Sequence, residues 1–299
     1  MAQLVSTDRF HVTPETSALR GRVRCLPVKT LWLFGHGLAG ITGVILYPQL
    51  DALLVFLGLT AVTICAGHSV GMHRLLIHRS FATPRLVEYT LVWLGTLVSM
   101  AGPIGMIRTH DLRDWHQRQT ECPPHPAHQA TFWRDAWGQL CCEFRLDHPP
   151  EFVLEDRVKQ DRTYHFIEKT WMWQQLPIAL LLYAFGGWAW LLWGCSLRIF
   201  VSLVGHWLVG HFSHRRGHQG WKIVDLPVQG YNIPGISLLT FGENWHGNHH
   251  AFPHSAKLWV ERGQLDPGYY FIRVMQGLGL AWNIKTPNSE PPRKGLQRV

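Results

Sequence analysis

Residues 30–72 read TLWLFGHGLAGITGVILYPQLDALLVFLGLTAVTICAGHSVGM, and the placement of charge in this stretch decides the fold. Thr30 to Tyr47 contains no Asp, Glu, Lys or Arg, and Leu50 to Met72 has only Asp51 at its edge and His68 near its far end. Each run can cross the hydrocarbon core of a bilayer, for which about 20 apolar residues suffice. Pro48-Gln49 between them marks a tight turn, so the two runs predict a helical hairpin that enters the bilayer and returns. Gln175 to Trp193 and Ser196 to Phe212 repeat the pattern, with the break at Gly194 and Arg198 as the only formal charge. Among 299 residues, 46% apolar, the apolar positions are bunched rather than periodic, and bunching points to lipid. The 15 Trp, many near the ends of these runs, fit the preference of indole for the headgroup level. The expectation is an all-α integral membrane protein, multi-pass, with four transmembrane helices in two hairpins at about 30–72 and 175–212.

Two hairpins place residues 1–29, 73–174 and 213–299 on one side of the membrane. Arg20, Arg22, Arg24 and Lys29 precede the first span whereas Pro48-Gln49 carries no Lys or Arg, so positive-inside makes the shared side cytoplasmic. Residues 1–29 are polar and basic without an apolar h-region, so the first span is expected to serve as its own insertion signal. Leu86 to Met106 is apolar too, with Glu88 its only charge before Arg108. We read it as interfacial or packed under a cytosolic cap, because a crossing there would separate histidines that belong together. The tail 286–299 is polar and expected to be loose. A net charge of +8 reads as attraction to anionic headgroups or to a phosphate-bearing carrier. No arginine-rich arm or zinc-finger spacing supports nucleic-acid binding.

The chemistry lies in three histidine clusters, all on the cytosolic side. Gly242-Glu243-Asn244-Trp245-His246-Gly247-Asn248-His249-His250 sets imidazoles at i, i+3 and i+4, on one face of a helix. Upstream stand His73-Arg74-Leu75-Leu76-Ile77-His78 and His110-Asp111-Leu112-Arg113-Asp114-Trp115-His116. The chain has 19 His and only 6 Cys, which form no C-x-x-C pair, so thiolate zinc and iron–sulfur sites are excluded in favour of imidazole ligation. The clusters offer more nitrogens than a single ion uses, so two metals fit better, and nitrogen donors without thiolate suit zinc, copper, iron or nickel.

At these residues the chain resembles the membrane-bound fatty acid desaturases, specifically the stearoyl-CoA or acyl-CoA Δ9 branch, over most of residues 30–285. The likeness rests on Gly71-Met72-His73-Arg74-Leu75 through His78-Arg79-Ser80-Phe81, on His110, on Leu197-Arg198 through Trp207-Leu208-Val209 to His214, and on Gly242-Glu243 through His250-Ala251-Phe252-Pro253. The resemblance implies a desaturase domain at 30–285, four transmembrane helices under a cytosolic helical cap, and a histidine-rich dimetal site holding two irons. By motif position His73, His78, His110, His214, His246, His249 and His250 are similar to the ligands. The second motif departs from the family's H-x-x-H-H, with Arg113 and Asp114 where the last two histidines would stand. Asp114, four residues after His110 and on the same helical face, is a competent iron ligand, or else pairs with Arg113 or Arg118. Arg113 has no lone pair to offer a metal. Gly210 stands where the family carries an asparagine that reaches iron through water, and His206 on the same face is a candidate for that contact. Glu243 and Asp111 are candidates to orient the imidazoles.

The resemblance implies removal of two hydrogens from adjacent methylenes of a fatty acyl chain, on coenzyme A or another carrier, with dioxygen reduced to water and none of it entering the product. Unactivated C–H bonds require an oxidising metal centre, and apolar spans would hold the hydrocarbon tail beneath it. With no fused haem domain, cysteine cluster or G-x-G-x-x-G, the electrons must come from a separate donor of cytochrome b5, ferredoxin or rubredoxin type. Alternatives on the same centre are hydroxylation, acetylenic-bond formation, or a sterol, carotenoid or intact-lipid substrate. A membrane metal transporter or metal-binding sensor would place ligands near the midplane of its spans, whereas here they lie beyond the span ends.

Overall fold

The first apolar run forms helix α1 (Pro27–Leu46), opened by a proline whose missing N–H costs nothing in a first turn. In this computed structural model, which describes residues 4–291 and 293–299, α1 is about 30 Å long at 1.5 Å per residue. Its two faces are inverted relative to a helix in water. Leu31, Phe34, Leu38, Ile41 and Ile45 point outward, while Leu33, Gly37, Gly40 and Gly43 are buried. A Cβ at Gly40 would lie 2.7 Å from the Leu197 backbone and one at Gly43 2.6 Å from the Leu192 side chain. Small residues thus let two apolar helices approach closely, as lipid-embedded packing requires.

After the turn at Pro48-Gln49 the chain runs through α2 (Leu50–Ile77), whose second part, Thr63–Ile77, is wound as a π-helix with i→i+5 bonding. Helix α3 (Arg85–Thr96) lies along that segment, and Gly67 and Gly71 make the contact possible: a Cβ at either would come within 2.4 Å of Leu94 or Leu91 backbone. The apolar stretch 86–106 is therefore not one helix. It breaks near Ser99, at φ 71°, and restarts as α4 (Pro103–Gln117).

Helices α5 (Phe132–Cys141) and α6 (Arg162–Thr170) lead to the 39-residue α7 (Gln175–Ser213). The break expected at Gly194 is at Gly187 instead, where φ 57° and ψ −149° lie in a region essentially reserved for glycine. Gly194 sits within a helical turn against Leu182 and Val55. The chain folds back at Gly187: Arg198 Nη2 donates to Gln175 Oε1 at 2.7 Å, although 23 residues of straight helix would separate them by about 35 Å. Trp190 Nε1 donates to Asp51 Oδ2 at 2.8 Å and Trp193 Nε1 to the Tyr47 carbonyl at 2.9 Å, so the turns at 48–49 and 187 share one end of the molecule. Among the described residues, α1, α2 and α7 are long and apolar enough to cross a membrane.

The opposite end is capped by α8 (His246–Ala251), α9 (Pro267–Gly277) and short antiparallel pairs. Strand β1 (Phe10–His11) pairs with β4 (Glu151–Phe152), and β2 (Gly21–Cys25) with β3 (Cys142–Leu146). Strand β5 (Trp221–Ile223) pairs with β6 (Leu296–Arg298). That last pairing corrects the expectation of a loose tail, as does the bond from Arg293 Nη1 to the His250 carbonyl.

Candidate metal centre

The π winding of α2 explains how the first motif works. Residues five apart lie about 140° apart around an α-helix but are stacked by i→i+5 bonding. His73 and His78 are thereby brought to 4.8 Å between ring centroids, with the His78 N–H bonded to the His73 carbonyl at 3.0 Å. His110 from α4 and His249 from α8 join them, and one nitrogen from each of the four lies within 4.8 Å of the others.

A second group consists of His214, just past the end of α7, with His246 and His250 from α8. The three imidazoles of α8 therefore divide: the i, i+4 pair serves this group and His249 the first. His246 Nε2 is 3.0 Å from both His214 Nε2 and His250 Nε2, and His78 Nε2 is 3.4 Å from His110 Nε2. Two nitrogens each bound about 2.0–2.1 Å from one ion would be separated by roughly 3.0–3.4 Å. The donor spacing therefore fits a metal in each group.

On three of these rings the nitrogen turned away from the group faces an acceptor. His73 Nδ1 faces Glu243 Oε2 at 2.7 Å, His110 Nδ1 faces Asp111 Oδ1 at 3.0 Å, and His214 Nδ1 donates to the Gln229 carbonyl at 3.2 Å. A proton on Nδ1 leaves the Nε2 lone pair for a metal. Glu243 also accepts from Ser69 Oγ at 2.6 Å, and Asp111 is tied to Arg9 at 2.6 Å. Burial would raise the Glu243 carboxyl, but His73 and Arg74 outweigh it and hold it well below the usual carboxylate range. Burial pushes His246 and His249 well below the ordinary imidazole value and His250 down to about 4, so these rings are neutral, as ligation needs.

Seven of the eight residues singled out as ligands are thus gathered into two groups. Asp114 belongs to neither; it pairs with Arg118 at 3.7 Å. Its charge nevertheless acts on His110, His249 and His250, members of both groups. His206 stands beside His68, ring centroids 4.9 Å apart, rather than beside His214. Arg113 is half-buried and donates to Gln139 Oε1 at 3.2 Å. A third cluster escaped the sequence reading: His128 Nδ1, His211 Nδ1 and Trp207 Nε1 converge on Asp135 Oδ2 at 3.1, 2.8 and 2.9 Å. Its members come from three separate segments, and His128 lies in a proline-rich loop without periodicity to flag it.

Both groups open onto a cavity of about 1070 Å³, lined by Phe56, Leu57, Ile64, Val98 and Met106 on its apolar side and by His73, His110, His214 and His246 at its polar end. This is at the upper end of ordinary small-molecule sites, which run roughly 300–1,000 Å³.

The fatty acid desaturase family model matches residues 51–267. The chain is 34% identical to an sn-1 stearoyl-lipid 9-desaturase of Anabaena variabilis, over 73% of this chain and 78% of that protein. It is 31% identical to an acyl-CoA 5-desaturase of Anemone leveillei, over 80% and 74%, and 30% identical to a Delta-9 acyl-lipid desaturase of Arabidopsis thaliana, over 78% and 75%.

Proposed function

The chain belongs to the fatty acid desaturase family, in its Δ9-type branch, and on that premise we propose how its two imidazole groups serve the reaction. The enzyme is an oxidoreductase that desaturates a fatty acyl chain. In the proposed arrangement one iron is held by His73, His78, His110 and His249, with the Asp114 carboxylate beside His110, and the other by His214, His246 and His250. The observation that carries the reading is the pairing of two imidazole groups with a large apolar cavity reaching into the helices.

The balance of the reaction is one acyl –CH2–CH2– plus dioxygen, two electrons and two protons, giving –CH=CH– and two waters. Iron held by these imidazoles would supply the oxidising power that unactivated C–H bonds require. The residues of this chain do the rest. Phe56, Leu57 and Ile64 of α2 and Val98 and Met106 bury the hydrocarbon, exclude water and hold two methylenes under the imidazoles. Glu243 and Asp111 fix the orientation of His73 and His110. The electrons come from a separate donor of cytochrome b5, ferredoxin or rubredoxin type, docking on the cytoplasmic face. The proposed topology has four spans, residues 175–186 and 188–213 forming the second hairpin about Gly187, with the catalytic side cytoplasmic.

The acyl carrier we propose is a lipid ester rather than a phosphate-rich thioester. At the start of α4, Glu168 Oε2 already accepts from the Ile104 and Gly105 N–H groups at 2.9 and 3.0 Å, so this helix N-terminus offers no anion site. The test is expression in a desaturase-deficient host, with gas chromatography–mass spectrometry of fatty acids resolved by lipid class. New monounsaturated chains should depend on oxygen and vanish in His246→Ala. Iron-replete cells with a co-expressed donor that yield no new unsaturated species would overturn the assignment, and products confined to the acyl-CoA pool would overturn the carrier.

A further inference from the structure

The first imidazole group has four histidines and the second has three, and Arg113 of α4, lacking a lone pair, adds no donor to the smaller one. Next to this smaller group stands His128, 1% exposed, with its Nε2 buried and, among the described residues, without a hydrogen-bond partner. Its other ring nitrogen, Nδ1, faces Asp135 Oδ2 at 3.1 Å. Glu243 holds His73 and Asp111 holds His110 through Nδ1 in the same way, and both of those rings belong to the first group. The Asp135–His128 pair therefore has the form of a carboxylate-oriented metal ligand, with its lone pair on the unpartnered atom.

The position of His128 agrees with its tautomer. Its ring stacks on that of His214 with centroids 5.4 Å apart, within the 4.6–6.4 Å that separates ring pairs inside the first group. Gly210, one turn before His214 on α7, leaves the space: a Cβ there would lie 3.3 Å from His128 Cε1 and Nε2. The His128 ring also borders the cavity onto which His214 and His246 open. Gln117 Nε2 also reaches His214 Nε2, at 3.2 Å, but that amide nitrogen is held by the Pro126 carbonyl at 2.8 Å and presents N–H rather than a lone pair.

The geometry points to His128 as the fourth imidazole of the second metal site, oriented by Asp135, with Trp207 and His211 holding the same carboxylate oxygen. With Oδ2 already accepting three N–H groups, Asp135 serves as an anchor for His128. This inference rests on the two-iron reading above.

The test is anaerobic titration of the detergent-solubilised full chain with ferrous iron, read by elemental analysis alongside the thermal unfolding of the metal-free protein. Wild type should bind two ions. His128→Gly should keep one tightly and bind the second at least 10-fold more weakly, with added imidazole restoring it. His128→Phe keeps a ring against His214 and leaves Asp135 with Trp207 and His211 as donors, so it should fold and show the same single loss. Asp135→Asn should weaken only the second ion, by 10–100-fold. Two ions bound with wild-type affinity in both His128 variants would overturn the inference while leaving the two-iron reading intact. Fewer than two ions in wild type would overturn that reading instead.

Discussion

At the scale of single residues, the centre is organised by buried charge. Arg74, beside the proposed ligand His73, is 1% exposed and donates to Asp266 Oδ1 at 2.9 Å and to the Ala256 carbonyl at 3.0 Å, with Glu243 Oε1 3.5 Å away. One cation thus ties α2 to the loop before α8 and to the start of α9, and locks the carboxylate that orients His73. Removing one partner of such a knot leaves unpaired charge in the interior, at a cost of about 3–5 kcal/mol. Arg74→Ala should therefore fail thermodynamically, with a loss of that size in denaturant unfolding. Glu243→Gln and Asp114→Ala separate orientation from ligation. The amide introduced by Glu243→Gln keeps the shape but not the charge that holds the His73 N–H, so iron should bind the first group 10–100-fold more weakly. Asp114→Ala removes the proposed carboxylate beside His110 and should lower iron occupancy as far as His110→Ala does. Full occupancy in Asp114→Ala would make its pairing with Arg118 the whole of its role.

At the scale of elements, the question is why α2 changes its winding at Thr63. The π segment and its C-cap carry His68, His73 and His78 at five-residue intervals on one side of the helix, with the His68 and His73 rings 6° from parallel and the His78 ring turned nearly perpendicular to that of His73. It also sets Gly67 and Gly71 against α3. Gly71→Ala would drive a Cβ to 2.4 Å from the Leu91 carbonyl oxygen, and overpacking of this kind typically costs about 1–3 kcal/mol. Gly58, in the same helix, has nothing within 4 Å of its would-be Cβ, so Gly58→Ala should be neutral or gain up to about 1 kcal/mol of helix propensity. Thermal unfolding of the two variants reads the difference directly; equal midpoints would mean that α3 does not pack on α2 as described. The long apolar runs and the histidine-rich motifs were legible in the sequence because both are local: charge-free runs, and imidazoles within one or two turns. The winding of α2 was not legible, since five-residue spacing matches no α-helical face. The fold-back was misplaced because Gly186, Gly187 and Gly194 look alike until a backbone conformation singles one out. His128 was missed for a different reason: it reaches the site through tertiary packing on Gly210 and His214, which no spacing reports.

At the scale of the molecule, length fixes where the chemistry sits. On the proposed topology α2 is long enough from Leu50 to His73 to span the ~30 Å hydrocarbon core, which puts the imidazoles at the interface on the side opposite Pro48-Gln49. The arm 175–186 reaches only about 18 Å, so as a proposed span it requires the bilayer to thin around it. The Trp190–Asp51 bond joins the two turns, so the proposed topology has both facing one compartment and the basic segment ahead of α1, with Arg20, Arg22 and Arg24, facing the other. Cysteine labelling in sealed vesicles tests this arrangement. The native thiol at Cys25 is exposed and precedes α1, and Trp188, next to the turn at Gly187, is exposed as well. With the other cysteines replaced by serine, Cys25 should react with an impermeant maleimide only from the cytoplasmic side, and thiols introduced by Gln49→Cys and Trp188→Cys only from the opposite side. Labelling of Cys25 and Gln49→Cys from the same side would eliminate the first hairpin. Labelling of Trp188→Cys together with Cys25 would leave that hairpin standing and make α7 a re-entrant element rather than a pair of spans.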